Sequence, residues 1–217
     1  GAIGHADGTG RVRISDGQGM AISPDNKWVL TQPARGGPLS LVPAGAGEMR
    51  QLTHDNISYA DAAFMPDGKH VLCAGIEPGH GGRDYLIDVS TGELKPITPE
   101  GTTGTSISPD GHQVIMRGPD GHIGVWSFDT NKLQLIPGVD PNYNIGGWTS
   151  DGSSIYASSN QTRRKSVKVY KVNTTTGKMV FWREFGGGLS GGIDGVVLPR
   201  FSKDGDAYAY VYVRELS

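Results

Sequence analysis

The sequence is short of four things that usually announce a function. It has one cysteine in 217 residues, Cys73, so it offers neither an internal disulfide framework nor a Cys-x-x-Cys redox or metal pair. It has no apolar run of about 18 residues, and so no candidate for a membrane-spanning helix. Its net charge is only −2, from 20 basic and 22 acidic residues. That balance excludes the broad basic footprint of a nucleic-acid binder and the polybasic stretch that draws a protein to lipid. Finally, apolar residues nowhere recur at helical spacing over a useful length. Cys73 itself lies in the run Val71-Leu72-Cys73-Ala74, where it reads as a small buried hydrophobe.

Glycine and proline are plentiful, at 34 and 13 residues. Glycine usually makes up about 7% of a chain, and helix interiors tolerate it poorly while tight turns and closely spaced strands use it freely. The composition therefore calls for many short strands and many turns. One motif recurs: an apolar strand, a proline or small residue, Asp-Gly, then a second apolar strand. Its copies are Ser23-Pro24-Asp25-Asn26-Lys27, Met65-Pro66-Asp67-Gly68-Lys69, Ser108-Pro109-Asp110-Gly111-His112, Thr149-Ser150-Asp151-Gly152 and Ser202-Lys203-Asp204-Gly205. Proline presets φ at the first turn position, aspartate bonds the local backbone, and glycine or asparagine accepts a positive φ.

Asp25, Asp67, Asp110, Asp151 and Asp204 lie 42, 43, 41 and 53 residues apart. A period of about 40–45 residues spans one four-stranded blade of a β-propeller, and each period supplies two further strand-like segments. The expected fold is all-β: a β-propeller of about five four-stranded blades, forming a single domain over residues 1–217. The blades fall at 19–54, 58–99, 103–138 and 144–185, with a fifth at 193–217 completed by strands from 1–16. Such closure hides sheet edges that would otherwise recruit other chains. A swapped dimer is the alternative if the chain is a fragment, and the start at Gly1-Ala2-Ile3 reads as that of an excised domain.

The repeat resembles the TolB-like propeller repeats, distant relatives of WD40-type repeats, which carry this S-P-D-G-K turn. Proline is replaced by Ser150 and Lys203 in the last two copies, and glycine by Asn26 in the first. A narrower resemblance is to the C-terminal propeller region of bacterial eukaryotic-type serine/threonine protein kinases. It rests on Gly47-Glu48-Met49-Arg50-Gln51-Leu52-Thr53-His54, Phe64-Met65-Pro66-Asp67-Gly68-Lys69, Gly75-Ile76-Glu77-Pro78-Gly79-His80, Arg117-Gly118-Pro119-Asp120-Gly121 and the ending from Tyr208 to Ser217. The resemblance implies a sensor or scaffold segment of a membrane-anchored signalling protein, placed outside the cytoplasm and lacking the catalytic domain. No coherent kinase motif set occurs in the chain.

Enzyme signatures fail on context. Gly186 to Gly191 satisfies G-x-G-x-x-G, but a strand-like segment from Ile193 follows where a phosphate-binding loop requires a helix. Gly188-Leu189-Ser190-Gly191-Gly192 satisfies G-x-S-x-G, yet all six histidines precede Ser190 in the chain, against the order of that hydrolase elbow. No His-x-x-x-His spacing supports a metal, and no cofactor is expected. The expectation is a non-catalytic binding or sensing module for a protein or small ligand. A pure scaffold, or a propeller enzyme such as a lyase, is the alternative.

Propeller geometry assigns recognition to the loops opposite the Asp-Gly turns. Candidates there are Tyr59 and Asp61, Glu77, His80 and Arg83 of one long hairpin, Tyr143 and Asn144, and Arg163 and Arg164 of another hairpin. Aromatics, arginine and mixed polar groups are common recognition anchors. Tyr59 and Trp148 equally suit packing between blades, and Arg163-Arg164-Lys165 equally suits a solvated hairpin tip.

Overall fold

A computed structural model describes residues 2–3, 12–13, 17–33, 36–159, 166–186, 193–201 and 208–214; for 2–3, 12–13, 159, 193–201 and 208–214 only the backbone is described. Every regular element among these residues is a strand. Near the N-terminus β1 (Ala2–Ile3) pairs with β2 (Val12–Arg13). The first four-stranded sheet holds β3 (Gln18–Ile22), β4 (Trp28–Gln32), β5 (Ser40–Pro43) and β6 (Arg50–Gln51) in chain order. The second holds β7 (Ser58–Phe64), β8 (His70–Ile76), β9 (Arg83–Asp88) and β10 (Leu94–Pro96). The third comprises β11 (Thr103–Ile107), β12 (Gln113–Arg117), β13 (Ile123–Ser127) and β14 (Lys132–Leu135). The fourth comprises β15 (Tyr143–Trp148), β16 (Ser154–Ser159), β17 (Val167–Asn173) and β18 (Met179–Phe185). Last, β19 (Ile193–Phe201) pairs with β20 (Tyr208–Arg214). The two end pairs are two-stranded sheets. Their side chains, Asp204, and the loop from Gly187 to Gly192 lie outside the described residues, so the shared fifth blade stays an expectation.

Each four-stranded sheet is an antiparallel meander whose first hairpin turns on the repeated aspartate. Asp25 Oδ1 accepts from the Ser23 hydroxyl at 2.6 Å and from the Lys27 amide at 3.1 Å. Asp110 does the same with Ser108 and His112 at 2.5 and 3.0 Å, and Asp151 with Thr149 and Ser153 at 2.6 and 3.1 Å. Asp67, which has Met65 in place of the hydroxyl, instead accepts from the amides of Lys69 and His70. The fourth turn residue has positive φ in every case: Asn26 58°, Gly68 67°, Gly111 80° and Gly152 68°. These bonds hold the four carboxyls below their usual range: the hydroxyl contact leads at Asp25, Asp110 and Asp151, while at Asp67 burial is the largest influence and acts upward, and the bonds from His70 and the Lys69 amide together outweigh it.

The chain divides into two compact units, residues 1–105 with 116–119, and residues 106–115 with 120–217. The first has a core of Leu30, Leu41, Tyr59, Val71, Cys73, Tyr85 and Ile87. The second is built on Ile123, Val125, Ile136, Trp148, Ile155 and Val172. Central strands such as β8 and β12 are apolar on both faces, because a sheet covered on both sides reads as a continuous apolar run. Each such large side chain removed from water contributes about 1.5–3 kcal/mol.

Gly177 shows how tightly successive sheets stack. Its φ is +69°, and a Cβ there would lie 1.9 Å from the Pro137 carbonyl oxygen. Gly138 has the same φ of +69° with open space around it. Gly138→Ala should therefore cost about 1–2 kcal/mol of left-handed backbone strain alone. Gly177→Ala should cost clearly more in urea unfolding, and equal costs would contradict the stacking contact.

Candidate functional site

The antiparallel meander sends the β8–β9 hairpin and the β10–β11 connection to one end of the second sheet, away from its Asp67 turn. Two sequence candidates, His80 and Arg83, meet there around Glu100. His80 Nδ1 lies 2.8 Å from Glu100 Oε1, the Arg83 guanidinium donates to the same oxygen at 2.8 Å, and the Gly81 amide donates to Oε2 at 3.0 Å. These contacts lower the Glu100 carboxyl below its usual range, the Gly81 amide first and His80 next. Glu77 accepts from the Tyr85 hydroxyl at 2.9 Å. Burial and that bond push the Tyr85 phenol up to about 12. The hairpin is thus tied down by its own charges while the His80 side chain remains half exposed.

Tyr59 takes the packing alternative. It is 1% exposed, in the core of the first unit. Its register partner on β8 is Gly75, where a Cβ would come within 2.5 Å of Ile57 and 3.3 Å of Tyr59 itself. A glycine opposite makes room for the ring, and only the hydroxyl reaches outward, donating to Asp55 Oδ2 at 2.7 Å. Burial first, and then that bond, raise its pKa. Trp148 is likewise buried, with its indole N–H on the Ser106 carbonyl at 2.8 Å. Tyr143 and Asn144 begin β15 in the second unit; Tyr143 packs partly against that unit's core. Arg163 and Arg164 lie outside the described residues. Among the described residues no group of three or more His, Cys, Asp or Glu could hold a metal ion.

Asp61 heads a feature that sequence reasoning missed. It pairs in register with Ala74, and Ala74 with Asp84, so the two carboxyls share one face of the sheet. Two successive residues of β11 are held by them: the Gly104 amide donates to Asp84 Oδ2 at 2.9 Å, and the Thr105 hydroxyl to Asp61 Oδ2 at 2.6 Å. Asp84 is fully buried, and its other oxygen has no hydrogen-bond partner. Burial pushes its carboxyl up to about 8, with the negative charge of Asp61 adding to the rise and the Gly104 bond opposing it. Glu100 and Asp84 left little trace in the sequence. One follows a proline in a connection, and the other stands in an ordinary strand beside Arg83.

In the unfolded chain the Asp84 carboxyl loses its proton at about pH 4, whereas in the folded chain it keeps it to about 8. Between these values the folded state binds the extra proton, so this group makes stability fall as pH rises. Asp84→Asn keeps an acceptor for Gly104 and removes the charge. At about pH 8 the variant should melt above the parent, with the gain shrinking to nothing or reversing towards about pH 4. Melting curves that run parallel across that window would contradict this account.

No known protein family matches the sequence, and no curated protein does. Solved structures do match the fold. TolB from Acinetobacter baumannii superposes with a TM-score of 0.70 at 22% identity, covering 95% of this chain and 52% of that one. A TolB candidate from Agrobacterium tumefaciens gives 0.72 at 18%, covering 94% and 73%. An oligogalacturonate lyase in complex with manganese gives 0.64 at 15%, covering 89% and 58%. This chain spans about half the length of the first of these proteins. Identities this low speak for architecture and leave activity open. The four meanders are propeller blades, and the chain has the fold of the TolB-like β-propellers.

Proposed function

We propose that the chain is a non-catalytic propeller module that holds a protein partner on the loop end of its second blade. The observation that carries this reading is the Glu100-centred cluster. A long hairpin is fixed in place at the end of the sheet remote from the repeat turns, with His80 and Arg83 on Glu100 and Glu77 on the Tyr85 hydroxyl. A rigid scaffold with fixed polar groups on its loops is how β-rich domains present recognition surfaces. In the finer version of this proposal, the module is the extracytoplasmic sensor segment of a bacterial signalling protein with a kinase-like cytoplasmic part. Support for that comes from the sequence strings resembling kinase-linked propellers, and it is compatible with the TolB-like fold. No helix among the described residues is long and apolar enough to cross a membrane.

The test compares proteins captured by the immobilised chain with those captured by two variants. His80→Ala with Arg83→Ala removes the two side chains that contact Glu100. His112→Ala with Asp129→Ala removes the exposed pair at 3.1 Å on the turn end of the third sheet. The second is a surface ion pair worth at most about 1 kcal/mol, and circular dichroism with a melting curve checks that the first variant folds. A specific partner, quantified by mass spectrometry, should vanish with the first variant and persist with the second. Identical capture profiles for all three proteins would overturn the assignment.

A further inference from the structure

The first blade breaks the rules that the other three keep. In blades two to four, the hairpin between the third and fourth strands is a five-residue turn closed by one backbone bond. Gly92 donates to Asp88 at 2.8 Å, Asn131 to Ser127 at 2.9 Å, and Gly177 to Asn173 at 2.9 Å. In each, the first residue's side chain also caps the turn. Asp88 accepts from the Ser90 and Thr91 amides, Ser127 from Thr130, and Asn173 from Thr175 and Thr176. A further bond fixes the alignment between blades: Ala44, Val89, Phe128 and Thr174 each donate to the carbonyl of the residue that begins the second strand or immediately precedes it, Lys27, Lys69, His112 and Ser153.

By that alignment Pro43 stands where the other blades have Asp88, Ser127 and Asn173. Proline has no side-chain acceptor. Gly47 stands in the place of Gly92, Asn131 and Gly177, and its φ is +150° against their +75°, +52° and +69°. The second position that departs is Trp28, three residues after the turn aspartate, where the other blades carry His70, Gln113 and Ser154. Beside the altered hairpin lies an open groove of about 510 Å³, lined by Trp28, which also packs partly against the core of the first unit, by Pro43 and the small residues through Gly47, and by the polar pair Asn26 and Lys27. A stabilising turn has been exchanged for a groove with an aromatic wall, and the exchange coincides with the one tryptophan at this repeat position.

From this geometry we infer that the groove binds a saccharide. Cavities of about 300–1,000 Å³ with apolar walls and a few directed polar groups are typical of small-molecule sites. Trp28 is the one aromatic residue lining the groove, and beside it stand an amide and an ammonium group. A sugar ring has the matching form: one face of C–H groups to lie on an indole, and a rim of hydroxyls for Asn26 and Lys27. The Lys27 side chain is 76% exposed, and its contact with Asp25 is an open one of 3.7 Å, which leaves the ammonium accessible to a ligand. A proline-rich peptide, another ligand that stacks on tryptophan, docks on grooves lined by several aromatics. This site is separate from the second-blade cluster and does not depend on it.

The inference is tested by titrating the full chain with maltotriose, chitotriose and sialyllactose while following tryptophan fluorescence and, in parallel, calorimetric heat. At least one trisaccharide should bind with a millimolar or lower dissociation constant. Trp28→Ala should weaken it at least about tenfold and Trp28→Phe should restore part of the loss. Because Trp28→Ala could unfold the blade, Gly45→Gln supplies a second variant. A Cβ at Gly45 meets nothing within 4 Å and the residue has no positive φ, so glutamine there should fill the groove and abolish binding with the melting temperature unchanged. Retained binding in Gly45→Gln would overturn the site. So would the absence of binding by all three sugars, or binding of a proline-rich decapeptide in their place.

Discussion

In the third blade the Asp110 carboxylate accepts from the Ser108 hydroxyl two residues before it and from the His112 amide two residues after it. The Ser108 hydroxyl oxygen in turn accepts from the Gln113 amide at 2.9 Å. One short side chain thus links both arms of a hairpin to its tip. Blade one repeats the arrangement through Ser23 and the Trp28 amide, and blade four through Thr149 and the Ser154 amide. Much else follows from it. The turn sets the register of the first two strands, the register decides which side chains face each core, and the meander carries the remaining strands outward in order. Within each blade, the loops that the repeat does not specify fall at the end remote from this turn.

That constraint is also why the architecture could be read from sequence. Asp25, Asp67, Asp110 and Asp151 are local features, visible without knowledge of tertiary neighbours. The loops are different, because their contents are settled by contacts across long separations. Whether Tyr59 reached a surface or a core depended on Gly75 leaving space on the adjacent strand. Glu100 matters only because the hairpin brings His80, Gly81 and Arg83 back to it from about 20 residues earlier. Asp84 looks ordinary in a strand, and only the covering Gly104 backbone and full burial make it unusual. Its unsatisfied oxygen is the kind of exception that marks strain or function in an otherwise well-bonded interior.

Regularity and irregularity therefore divide the labour. Positions that obey the repeat maintain strands, turns and stacking, as Gly177 does against Pro137. Departures collect at two places, the long β8–β9 hairpin with its Glu100 anchor and the Pro43–Gly47 hairpin beside Trp28. A repeat fold can absorb such changes because each blade relies mainly on its nearest neighbours. The Pro43–Gly47 hairpin lacks the side-chain cap of the other blades, whereas the β8–β9 hairpin is fixed by Glu100 through His80, Gly81 and Arg83.

Residue-resolved amide hydrogen exchange on the native chain tests this division most directly. The amides of Trp28, Gln113 and Ser154, held by the turn hydroxyls, should exchange only in large-scale opening and be among the slowest in their blades. The amides of Gly45, Ala46 and Gly47 should exchange far faster than their counterparts in the capped hairpins, such as Thr91, Gly92, Thr176 and Gly177. Equal protection of the two sets of hairpins, or fast exchange at Gln113 and Ser154, would contradict the claim that the aspartate-centred turns are the rigid frame and the Pro43–Gly47 hairpin an uncapped exception to it.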